Sequence, residues 1–376
     1  MIRAVLGRSD PWIVVAVLLL ASFGVLMIHS ATVDAERMHV TAVDRAVIRQ
    51  LVVAVFGLSV MIGLSRMDYR ALRRLALPAY VGTVGLLALV LLVGITQFGA
   101  RRWIGIGEFT LQPSEFTKLT LVIAAAAYLA DRPQGPRATL MIAALVLAPV
   151  SLVVLQPDTG TTLVLIGASA GVVVAWGAPW RTLGTVLAIA LALTPLLFAV
   201  AVPGYQRERI AVFLDPGRDP LGSGFDLQQA EVALRSGGLV GRHVFDRSDS
   251  TLAFVSARSS DFMLSHIGEQ VGLLGAVALL SLLALLVWRG LSAALTAPDR
   301  FGRLLAAGLT FTIFTQAAIH IATNLRALPA TGIPMPFVSQ GGSSLLVMCV
   351  AAGLLLSISS HQRANPGEQW SATRWQ

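Results

Sequence analysis

One lysine, one cysteine and four tyrosines occur in 376 residues, and only 13% of the chain is charged. A soluble domain averages about 25% charged residues, so an ordinary water-soluble domain is excluded. The single cysteine, Cys349, rules out a disulfide within the chain and leaves the redox compartment open. No Walker loop, dinucleotide fingerprint, zincin motif or nucleophile elbow is found, which removes support from ATP-driven transport and soluble-cofactor redox chemistry. Low-complexity tracts and clear internal repeats are also missing. The charge that remains is mostly positive, +8 net. In a soluble protein this would suggest nucleic acid. Here the arginines fall mostly in short segments between apolar runs, as membrane orientation requires, so no nucleic-acid partner is expected.

Apolar residues make up 55% of the chain, with a mean hydropathy of +0.75. A span needs about 20 apolar residues. The pattern predicts an all-α polytopic membrane protein with about ten transmembrane helices, at 12–31, 47–65, 75–97, 115–130, 138–155, 160–177, 182–202, 262–288, 302–322 and 342–360. The first run spans and lacks a small-residue cleavage site, so it is expected to stay. Arginine-rich short segments such as Arg66 to Arg74 place both termini and the 361–376 tail in the cytoplasm. One domain, 1–376, is expected, with a large extracytoplasmic loop, 203–261, between spans seven and eight. Within it, Phe225 to Arg235 interleaves Leu227, Ala230, Val232 and Leu234 with polar residues, as a short helix on a membrane surface does.

Four polar segments converge on the outer side. The first runs from Arg101-Arg102-Trp103 to Lys118. Paired guanidinium groups suit phosphate, and also suit ordinary interfacial anchoring. Ionisable groups at membrane depth are costly and mark function. In a chain whose other 27 basic residues are arginine, Lys118 is either kept for its compact charge or left by compositional drift. Glu115 lies one helical turn before it. The second segment is Gln156-Pro157-Asp158, and Asp158 competes with Glu115 as the partner of Lys118. The third is Arg258 to Phe262, where the loop re-enters the membrane, followed by His266 and Glu269. Asp261 fits either a general base with a raised pKa or a helix cap. The fourth runs from Pro329 to Ser343-Ser344, where proline forbids regular helix and the freed amides suit an anion.

Taken together, Gly99-Ala100-Arg101-Arg102-Trp103, Gln112-Pro113-Ser114-Glu115 with Lys118, Gln156 to Thr161, Tyr205 to Ile210, Ser236-Gly237-Gly238-Leu239, Asp261-Phe262 and Gly341-Gly342-Ser343-Ser344 resemble the SEDS family of RodA and FtsW over almost the whole chain. The run Asp68-Tyr69-Arg70 looks more like the RodA branch. The resemblance implies a peptidoglycan glycosyltransferase that polymerises lipid II at the outer face of the bacterial cytoplasmic membrane, beside a class B penicillin-binding protein. It implies that Asp261 is the essential aspartate and that Lys118 and Asp158 form a cavity ion pair. Three places depart from the family pattern, one of them Gly241-Arg242-His243-Val244-Phe245, which differs from the commoner glycine-rich continuation. Ser256-Ala257-Arg258-Ser259-Ser260 replaces the usual Pro-Glu-Arg-His-Thr, and Gln340 replaces an aromatic residue.

The expected chemistry is attack of a sugar hydroxyl on a lipid-pyrophosphate donor, with Asp261 as base. Arg101, Arg102, Arg207 and Arg209 would neutralise the pyrophosphate, with Mg2+ or Mn2+ as a possible aid. Glu269, Ser343 and Ser344 are further candidates. A lipid II flippase and a non-catalytic scaffold for cell-wall enzymes are the rival readings.

Overall fold

Inside a membrane every backbone polar group must be paired within the chain, which an apolar segment achieves only as helix. The computed structural model describes residues 10–36, 43–97, 100–106, 109–179, 204–219, 222–241, 252 and 259–362. Nine of the ten apolar runs are helical there: α1 (Pro11–Glu36), α2 (Val43–Ser65), α3 (Leu72–Val93), α4 (Pro113–Leu129), α5 (Pro136–Leu155), α6 (Thr159–Ala175), α9 (Met263–Leu295), α10 (Arg300–Asn324) and α11 (Gly342–Gln362). The seventh run, 182–202, lies outside the described residues, as does the tail from 363. The loop contributes α7 (Gly204–Leu214) and α8 (Ser223–Ser236).

Seven of the nine are long and apolar enough to cross a membrane. The other two, α4 and α6, have 17 residues each. At about 1.5 Å per residue they are at the short end of what crosses a hydrocarbon core about 30 Å thick. Proline at the first turn starts α4 and α5, and the Asp158 and Asp299 side chains cap α6 and α10.

The chain between α3 and α4 forms a three-stranded antiparallel sheet, β1 (Ile95–Gln97), β2 (Ala100–Ile106) and β3 (Phe109–Leu111), which the sequence analysis had not anticipated. Arg101 pairs with Thr96 and Ile104 with Leu111. Strands this short show no period in sequence. Their alternation nonetheless has a consequence: side chains point to opposite faces, so Arg101 is exposed while its neighbour Arg102 is buried.

The bundle is built around α10 and α11, whose spanning windows are 72% and 78% buried, against 22% for α2, α3 and α5. Small residues permit close approach. A Cβ on Gly353 of α11 would stand 2.8 Å from the Met61 carbonyl of α2. Outside the membrane, α8 lays Leu227, Ala230 and Ala233 against Phe262. Val232, expected on that face, is exposed, because a 3.6-residue period brings Ala233 there instead.

Helix α9 is broken. Gly272 has φ 74 and ψ −168, a conformation open only to glycine. The break releases two amides of α9, and the turn after α8 accepts both: Leu273 N–H donates to Gly238 O at 2.9 Å and Leu274 N–H to Leu239 O at 3.1 Å. The first nine residues of α9, Met263 to Val271, are thereby mounted separately from the rest.

Candidate active site

Five helix ends meet at one side: the starts of α4, α6, α9 and α11, and the end of α10. Lys118 is fully buried on α4. Its ammonium lies 2.7 Å from Glu115 Oε2, an ion contact outside hydrogen-bond alignment, and donates to Gln316 Oε1 of α10 at 2.7 Å. Gln316 in turn donates to Ser344 Oγ and to the Pro334 carbonyl, each at 2.9 Å. Ser343 accepts from Gln112 N–H at 3.1 Å. Both serines therefore tie the start of α11 into this network through their side chains.

Asp158 is not the partner of Lys118, a correction to the implied pairing. Its carboxylate accepts from Thr161 N–H at 3.1 Å, Thr161 Oγ1 at 2.9 Å and Gln112 Nε2 at 2.9 Å. Its nearest cation is Arg102, whose Nη1 lies 3.7 Å away. The reason is local. The residues one turn away on each helix, Glu115 for Lys118 and Thr161 for Asp158, reach them at no cost in long-range ordering.

Arg102 links this network to Asp261. Both approach Gly332, at φ 71: Asp261 Oδ2 is 3.8 Å and Arg102 Nη2 3.9 Å from the point where a Cβ would stand. Arg209 of α7 donates to the Ala330 carbonyl in the same connection at 3.0 Å. Asp261 stands where the loop joins α9, half-buried by area. Burial pushes its carboxyl above the usual carboxylate range, opposed by a hydrogen bond from Ser260 and by the charges of Arg209 and Arg102. Asp226 of α8 is also pushed up, first by burial and then by the charge of Asp261. Asp261 does not cap α9; Phe262 holds the cap position, with no side-chain cap bond.

Of the remaining candidates, Arg101 is exposed on the outer face of β2, and Glu269 is buried beside the Gly237 turn. The side chain of Arg207 lies outside the described residues. No group of three or more His, Cys, Asp or Glu side chains among the described residues could hold a metal ion. Two guanidinium groups supply positive charge near Asp261.

The sequence analysis missed the polar stripe of α10: Gln316, His320 and Asn324, spaced i, i+4, i+8 within or just past an apolar run. His320 Nδ1 donates to the Ile333 carbonyl at 2.9 Å, which sets its tautomer. The period-four spacing was the available signal. At the opposite end of the bundle, a cavity of about 270 Å³ is lined by Arg70, Arg73, Asp131 and Asp299. There Arg70 pairs with Asp299 at 2.9 Å and Arg73 with Asp131, so that pocket closes on its own ion pairs.

A family model described as cell cycle protein, covering FtsW, RodA and SpoVE, matches residues 11–364. The chain belongs to this family. It is 32% identical to the peptidoglycan glycosyltransferase MrdB of Escherichia coli K12 over 357 residues, 94% of each chain. It is 34% identical to the probable peptidoglycan glycosyltransferase FtsW of Geobacter metallireducens over 370 residues, 96% of each. A solved structure titled for the structural coordination of polymerization and crosslinking by a peptidoglycan synthase complex superposes with a TM-score of 0.80 at 32% identity, covering 94% of this chain and 98% of that one.

Proposed function

We infer that this chain is a peptidoglycan glycosyltransferase of cell-wall synthesis that polymerises lipid II, with Asp261 as its general base. The observation that carries the assignment of Asp261 is its environment. A partly exposed carboxyl with a raised pKa stands with Arg102 at Gly332 and feels the charge of Arg209. The acceptor hydroxyl attacks the anomeric carbon of the donor. As the new C–O bond forms, its proton passes to a carboxylate oxygen of Asp261. The bond from the anomeric carbon to the phosphate oxygen breaks, and the lipid pyrophosphate leaves with the electron pair. Arg102 and Arg209, with Arg207 on the same helix as Arg209, stabilise the charge that develops there.

The arginine-rich short segments between the apolar runs support a reading with both termini in the cytoplasm and this site at the outer face of the bacterial cytoplasmic membrane. The relative in a complex that coordinates polymerization with crosslinking supports a class B penicillin-binding protein as partner. The test is polymerisation of labelled lipid II by purified protein with its transpeptidase partner, read on a gel. General-base catalysis contributes about 10²–10⁴-fold, so Asp261→Asn is expected to lose at least about 100-fold. A wild-type rate for this variant would sink the assignment. Transfer of lipid II across liposomes without polymer would instead mark a flippase.

A further inference from the structure

Helix α9 begins without a side-chain cap of its own, although the first four amides of any helix lack partners within it. The missing cap comes from another helix. Asn324, the last residue of α10, is 2% exposed. Its Oδ1 accepts from Ser265 N–H at 3.0 Å and from Ser265 Oγ at 2.9 Å. Its Nδ2 donates to the Asp261 carbonyl at 3.0 Å and to the His320 carbonyl at 2.9 Å. An amide side chain offers two donors and two acceptor lone pairs, and all four are used. Rotating the amide by half a turn would set donor against donor at Ser265, so only one orientation fits.

The backbone before Asp261 is held in the same way. The Ser259 carbonyl accepts from Gln340 N–H at 2.9 Å, and the Ser260 carbonyl from Ser339 Oγ at 2.8 Å. Three consecutive carbonyls, 259 to 261, are thus fixed by the segment from α10 to α11. Asn324 also grips the helix that follows, through Ser265. With the break at Gly272 separating Met263 to Val271 from the rest of α9, the cap holds the start of a nine-residue block, while the Gly238-Leu239 turn holds Leu273 and Leu274 just past the break.

We propose that Asn324 is a positioning residue for Asp261: a cap supplied in trans that sets the height and direction of the carboxylate relative to Arg102. This rests on Asp261 being the base. Among the described residues, the charged groups that act on Asp261 are Arg102 from β2, Arg209 from α7 and Asp226 from α8. Loosening the cap admits water to Asp261, which lowers its pKa and carries the acid limb of the rate profile to lower pH.

The experiment measures kcat, KM for lipid II and the pH–rate profile for Asn324→Ala and Ser265→Ala, in the full chain with its transpeptidase partner. Misplacing a catalytic group by about 1 Å costs about 100-fold. Asn324→Ala is expected to lower kcat by about 10- to 100-fold at unchanged KM, with the acid limb moved to lower pH. Ser265→Ala, which removes one of the four bonds, is expected to shift both in the same direction by less. A folded Asn324→Ala protein with wild-type kcat and wild-type acid limb overturns the proposal. If that variant does not fold, Ser265→Ala decides: a moved limb supports the cap and an unmoved limb overturns it. Asp261→Asn, measured beside them, separates the two ideas, since full activity there removes the base assignment whatever the cap variants do.

Discussion

Ser259 Oγ donates to Gln340 Oε1 at 2.8 Å, while Gln340 N–H donates back to the Ser259 carbonyl at 2.9 Å. These two residues stand at two of the three places where the chain departs from the SEDS pattern, 81 positions apart in sequence. They meet as a polar pair that straps the approach to Asp261 onto the start of α11. Such a bond contributes about 0.5–1.5 kcal/mol. Ser259→Ala and Gln340→Ala are each expected to slow polymerisation a few-fold. The double variant is expected to be no slower than the worse single, because contacting residues are not additive. A double-mutant cycle on the polymerisation rate checks this; full additivity would mean that the pair does not act as one strap.

Lys118 is sealed between Glu115 and Gln316. Lys118→Met leaves a carboxylate that is 2% exposed without its cation, a loss of about 3–5 kcal/mol. The pair of changes Lys118→Met and Glu115→Gln is expected to recover most of that in detergent unfolding. Lys118→Arg keeps the charge but must fit a planar fork where one ammonium meets one oxygen on each side, so activity is expected to fall. Wild-type rate in Lys118→Arg would show that charge alone matters.

The pH dependence follows from the two raised carboxyls. A base acts when deprotonated, so the rate should climb with pH through a value above the usual carboxylate range, the direction in which burial moves Asp261. Asp226 and Asp261 repel each other. Removing that charge in Asp226→Asn eases ionisation of Asp261 and is expected to move the acid limb to lower pH, while Asp261→Asn abolishes the limb altogether. The linkage to stability has a definite sign. A folded pKa above the unfolded value means the folded state holds the extra proton between the two, so stability falls as pH rises through that window.

Gly272→Ala would place a Cβ 2.7 Å from the Leu239 carbonyl oxygen at a positive φ. Strain of this kind costs about 1–3 kcal/mol. The variant is expected to unfold earlier in denaturant and to lose activity. Gly238 also has a positive φ, 56, but open space around it. Gly238→Asn, which tolerates that conformation, is therefore expected to be mild and Gly238→Val damaging.

The long helices were legible because membrane solvent leaves a segment of twenty apolar residues no alternative. The polar residues at the outer ends were legible because each interrupts such a run. What escaped was whatever depends on distance in sequence. Lys118 had two acidic candidates, and the sequence gives no measure of which helix end faces which. Gln316 and His320 lay inside a run read as apolar, and Asn324 just past its edge, so the scaffold of the site was hidden in a span. The sheet at 95–111 escaped because its strands are too short to show alternation.

The exchange of hydrogen bonds at Gly272 also defines what can be transplanted. Two amides of α9 find their acceptors only in the Gly238-Leu239 turn, and stranded donors in apolar surroundings are costly. Segment and break are thus a matched pair. A chimera that takes the loop from a relative is expected to insert and fold only if Gly237 to Gly241 and the Gly272 break are taken from the same parent.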